Sequence, residues 1–72
     1  MAFSYNKLWK LLIDKNMNKV ALRDAINITP ATLAKLSKNQ PVNMDILARI
    51  CKGLNCNIGD IIDYIPDVED RE

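Results

Sequence analysis

Residues 17–39 read MNKVALRDAINITPATLAKLSKN. Two helical apolar spacings lie inside this stretch, separated only by Asn27-Ile28-Thr29. Asn18 supplies the cap of a short helix over about 19–26, with Leu22 and Ile26 pointing inward. Asn27 tolerates the left-handed turn that otherwise favours glycine. Thr29 caps the next helix, and Pro30 takes its first position, where a missing N–H costs nothing. So short a connection forces a sharp angle between the two helices. Leu22, Ile26, Ile28, Leu33 and Leu36 are expected to lock them together.

The second of these helices, about 30–38, has two unlike sides. On a helical wheel Leu33 and Leu36 lie about 60° apart and must face the core. Ala31, Lys35 and Lys38 gather opposite them, flanked by Thr32 and Ala34. That outward strip is small beside the capped start and cationic further on. Short side chains allow close backbone approach, and lysines reach for a polyanion. Asn39 is a left-handed stop, and Gln40-Pro41 ends the helix.

Outward from this unit, the whole chain reads as all-α, with five short helices. The first spans about 5–15 after a Ser4 cap, with Tyr5, Leu8, Trp9 and Leu12 inward and Asn16 as its left-handed close. Trp9 reads as a half-buried core aromatic. Asn43 opens the fourth helix, whose Met44, Leu47, Ala48, Cys51 and Leu54 follow the spacing of one buried face. Asn57 caps the fifth, striped by Ile58, Ile61, Ile62 and Ile65 and ended by Pro66. One domain over 1–66 followed by a short acidic tail over 67–72 is the expected organisation.

Composition narrows the function. The 72 residues carry a net charge of only +1, yet residues 1–38 hold seven basic and two acidic groups and residues 39–72 three and seven. A basic half joined to an acidic half fits a polyanion held on one side. There is no histidine, and Cys51 and Cys56 fall short of the four ligands of a structural zinc site, so no metal or cofactor is expected. No nucleophile has a recognisable base, and there is no glycine-rich phosphate loop. No catalytic residue, enzyme activity or small-molecule substrate is therefore expected. No apolar run reaches transmembrane or signal-peptide length, so the expected location is the cytoplasm with both thiols reduced and no membrane contact.

Residues 17–39 resemble the helix-turn-helix of the lambda-repressor-like (Cro/repressor, or XRE) regulators, and the likeness runs over nearly the whole chain. LWKLLIDKNM (8–17) resembles the family's first helix, and LARICKGLNCNIGDII (47–62) its fourth and fifth. The resemblance implies a sequence-specific transcriptional regulator of double-stranded DNA, a repressor, inserting its third helix into the major groove. It implies that Thr29, Pro30, Ala31, Thr32 and Lys35 face bases or nearby phosphates, and that Asn18, Lys19 and Lys38 hold phosphates. With the outward strip of α3, a homodimer is expected, for which Ile46, Ile50 and Tyr64, at the edges of their stripes, are the candidate contacts. The chain departs from the family pattern at Lys19, where glutamine is usual, at Asn27 for glycine, and at Arg23 for a small residue. Pro30 and Ala31 also replace long polar readers. These departures leave an alternative, a protein-interaction module such as an antitoxin or anti-repressor on the same fold.

Overall fold

The computed structural model describes residues 2–66. Along them run β1 (Ala2–Ser4), α1 (Asn6–Asp14), α2 (Lys19–Ile26), α3 (Pro30–Ser37), α4 (Met44–Leu54), a single 3-10 turn at Ile58–Asp60, and β2 (Asp63–Ile65). The expected acidic tail, 67–72, lies outside the described residues.

Asparagine sets most of the boundaries. Asn18 and Asn43 each accept a hydrogen bond from the backbone N–H three residues on, at 2.7 and 3.0 Å. Asn16, Asn27, Asn39 and Asn55 all lie in the left-handed region, with φ between 54° and 59°. Asparagine enters that region at lower cost than most residues because its amide bonds locally. A helix cap and a left-handed stop are local requirements, so sequence placed three of these four stops and both caps. The first helix starts one residue later than expected: Tyr5 occupies its cap position, and buried Ser4 accepts instead from the Asn6 N–H at 3.2 Å.

The core gathers Tyr5, Leu8 and Leu12 of the first segment, Leu22 and Ile26 of α2, Ile28 of the turn, Leu36 of α3, Leu47, Ile50 and Leu54 of α4, and Ile61. Leu33, Trp9, Ile46 and Ile62 pack half-buried around it. Tyr5 also closes the bundle polar-side: its N–H donates to Asn39 Oδ1 and its hydroxyl to the Gln40 carbonyl, both at 3.0 Å.

Two expectations fail here. The five-helix, all-α architecture is replaced, among the described residues, by four helices, one 3-10 turn and a two-stranded antiparallel sheet with Phe3 opposite Tyr64. Asp60 returns its carboxylate to the Asn57 N–H at 2.9 Å and closes one turn, not a helix. The Ile61-Ile62-Asp63-Tyr64-Ile65 run that follows is rich in β-branched and aromatic residues, and its last three residues take the strand partner that residues 2–4 offer. Phe3 and Tyr64 meet edge to face, centroids 5.5 Å apart, and Lys7 ties the sheet to α1 through Asp63 at 3.6 Å. Ile58 and Ile65 consequently stand exposed instead of forming an inward stripe.

The second failure is the rotation of α4. Met44 is 73% exposed and Ala48 is exposed, whereas Ile50 is fully buried. The inward face is turned by about 60° from the expected one. Gly53 explains the turn: a Cβ built there would meet Ile26 Cγ2 at 2.6 Å, so α2 rests directly on the α4 backbone. That close approach draws the Ile50 side of α4 into the core. Ile50 is thereby removed as a dimer contact. Cys51 and Cys56 are both free and half-buried, and burial, followed by the neighbouring Cys51, pushes the Cys56 thiol up.

Candidate nucleic-acid interface

The α2–turn–α3 unit is built from the outside in by its caps. Asn18 fixes where α2 begins. Asn27, at φ 59° and ψ 53°, reverses the chain, and the Ile28 N–H returns to the Arg23 carbonyl at 3.2 Å. Thr29 Oγ1 then accepts from the Thr32 N–H at 3.1 Å and lies 3.0 Å from Thr32 Oγ1. Ile28 and Leu36 are buried beneath the bend. A contact that sequence did not foresee braces it from behind: Arg49 of α4 donates to the Asn27 carbonyl at 3.3 Å while pairing with Asp45 at 3.5 Å. Arg23 reaches outward to Asp24 at 3.3 Å.

The expected outward strip is outward. Pro30, Ala31, Ala34 and Lys35 are exposed along α3, as is Lys38 at its C-terminal cap, and Thr32 is half-buried. Asn18, Lys19 and Thr29 are exposed at the two helix starts. Thr29 and Asn18 have their side-chain oxygens engaged as acceptors in capping, and the Asn18 amide NH2 keeps its two donors. No acidic residue occurs in α3 or in the turn before it, and among the described residues none of Lys19, Lys35 and Lys38 is in an ion pair. Among the described residues, Lys19 is held by neutral groups alone. Its Nζ sits 4.3 Å from the centre of the Trp9 ring and donates to Ser37 Oγ at 3.3 Å.

This surface can attract phosphate through uncompensated positive charge, and it can approach base edges closely through the small residues at the start of α3. Residues 7–67 match the model of the Cro/C1-type HTH DNA-binding domain. The chain belongs to that family. It is thus a helix-turn-helix protein of a DNA-binding, transcription-regulating family.

Two relatives sit on either side of that assignment. The chain is 34% identical over 59 residues to YozG of Bacillus subtilis strain 168, an uncharacterised HTH-type transcriptional regulator, covering 79% of this chain and 70% of that one. It is similar in structure to the crystal structure of the transcriptional regulator VanUg, with a TM-score of 0.89 and 52% identity over 92% of this chain and 88% of the other. Among the described residues, no helix of this Cro/C1-type domain is long and apolar enough to cross a membrane.

Proposed function

We propose that this Cro/C1-type domain is a sequence-specific regulator of double-stranded DNA that lays α3 in the major groove and represses by occupying its site. The observation that carries the reading is the α3 surface: Ala31, Ala34, Lys35 and Lys38 exposed together, free of acidic neighbours on the helix, beside a bend locked by Ile28 and Leu36. In this reading Ala31 and Thr32 meet thymine methyl groups, and Lys35 meets guanine or a nearby phosphate. Pro30 and Thr29 border the same edge, and Asn18, Lys19 and Lys38 hold phosphates at the ends. The domain works in the cytoplasm, without cofactor or catalysis.

A homodimer fits this use, since paired half-sites about 10 bp apart need two copies of one reading helix. With Ile50 in the core and Ile46 half-buried against it, Tyr64 remains the contact of choice, 57% exposed beside Phe3 at 45%. Sedimentation equilibrium of Tyr64→Asp should show a lighter species than the wild type.

Electrophoretic mobility shift on genomic fragments across a salt series tests the central reading. Retarded bands that weaken steeply with salt are expected. The alternative, an antitoxin or anti-repressor that uses the fold to hold another protein, draws support from the exposed apolar residues Phe3, Met44, Tyr64 and Ile65. A stoichiometric protein partner together with no retarded band at any salt would favour it.

A further inference from the structure

We propose that Trp9 is a positioning residue for a phosphate contact made by Lys19: its indole face and the Ser37 hydroxyl hold the Lys19 ammonium in place while leaving its charge unneutralised. The inference rests on the DNA-binding reading and deepens it at one position.

The placement of Lys19 is what calls for an account. It is the first residue of α2, and no acidic residue lies in that turn. A cation there works against the positive end of the helix dipole, so helix stability alone does not favour it. The side chain instead folds back across two other helices, to Trp9 of α1 at 4.3 Å and Ser37 of α3 at 3.3 Å. Neither partner is an anion. An aspartate or glutamate in their place would hold the ammonium equally well and cancel it. An aromatic face and a hydroxyl stabilise a cation yet leave it available, and an ammonium has three N–H donors, of which Ser37 takes one.

Holding matters because lysine is a flexible four-carbon stem whose freedom must be given up when it meets a phosphate. Where folding has already restricted it, association gives up less. A neutral amide at this position would have no comparable attraction to the Trp9 face. Trp9 is half-buried: it packs against the core, and the Lys19 ammonium lies over its ring.

A double-mutant cycle on DNA affinity is the test, with wild type, Trp9→Leu, Lys19→Met, the double variant, and Trp9→Phe as the ring-preserving control. The probe is a labelled mixed-sequence duplex followed by anisotropy over a salt series, since a phosphate contact is independent of base sequence. Lys19→Met should weaken binding and lower the salt slope by about one. Trp9→Leu should keep the wild-type slope and weaken binding by about two- to fivefold, with Trp9→Phe recovering much of that loss. In the Trp9→Leu background, Lys19→Met should cost less than in the wild type. Thermal melts on each protein separate fold loss from positioning. Additive effects on affinity, or Trp9→Leu binding like the wild type whatever its melting temperature, would overturn the inference and leave DNA binding intact. Failure of the wild type to bind any duplex would instead remove the DNA reading and the inference with it.

Discussion

Gly53→Ala is the substitution whose sign the fold decides. In an isolated helix the change is favourable by about 1 kcal/mol, because glycine gives up the most backbone freedom on becoming helical. Here the added methyl would sit 2.6 Å from Ile26 Cγ2. Ordinary carbon contacts lie near 3.5–4.0 Å, so one helix must retreat by about 1 Å. Ile26 cannot simply swing aside: Cγ2 is attached at a branched Cβ, and a β-branched residue in a helix has one strongly preferred rotamer. Overpacking of this kind costs about 1–3 kcal/mol, so the net expectation is a loss of about 1 kcal/mol. For a domain of this size that corresponds to a melting point lower by about 4–8 °C. Gly59→Ala is the control, since nothing lies within 4 Å of a Cβ built there. It should be neutral or stabilising by up to about 1 kcal/mol. Urea and thermal unfolding followed by circular dichroism, at one fixed protein concentration, measure both. Adding Ile26→Leu, which moves the branch away from the clash, should return part of the Gly53→Ala loss. A Gly53→Ala protein as stable as the Gly59→Ala protein would refute the argument that α2 rests on the backbone of α4.

Three further outcomes are expected. Asn27→Gly should be neutral or slightly stabilising and Asn27→Ala should cost about 1–2 kcal/mol, because φ is 59° there; chemical denaturation of the two variants checks the order. Tyr5 has its phenol pushed above the ordinary 10.0 by burial, partly offset by a backbone hydrogen bond at Val42. The folded protein therefore holds that proton more tightly than the unfolded chain, so its contribution is complete below pH 10 and is lost as pH rises through the folded pKa. Unfolding curves from pH 7 upward should show this alkaline loss in the wild type and a smaller one in Tyr5→Phe, which also forgoes about 1 kcal/mol with the Gln40 hydrogen bond. Lys35→Ala should weaken the best genomic fragment by about 1–3 kcal/mol while leaving the melting temperature unchanged, as gel shift and calorimetry would show.

The outward surface of α3 was legible in the sequence because its determinants are local. Asn18, Thr29 and Asn43 cap the N–H three residues ahead, and Asn16, Asn27 and Asn39 reverse the chain within a single residue. Such signals depend on the identity of one side chain and on its nearest backbone. With the bend fixed by a three-residue connection, the wheel of α3 had to put Leu36 inward and Lys35 outward, and it does.

Tertiary structure decided what no local window contains. Residues 58–65 have an apolar spacing compatible with a helix, but the strand partner at residues 2–4 lies at the other end of the chain and draws Asp63–Ile65 into β2, leaving a single 3-10 turn at Ile58–Asp60. The rotation of α4, and with it the burial of Ile50 and the exposure of Met44, follows from α2 pressing on Gly53. A helical wheel gives the arc of apolar residues but not which part of a wide arc the neighbours cover. Trp9, Lys19 and Ser37 likewise come together only where three helices converge. Local chemistry sets where helices begin and end; which side of each is buried is settled by close packing between elements distant in sequence.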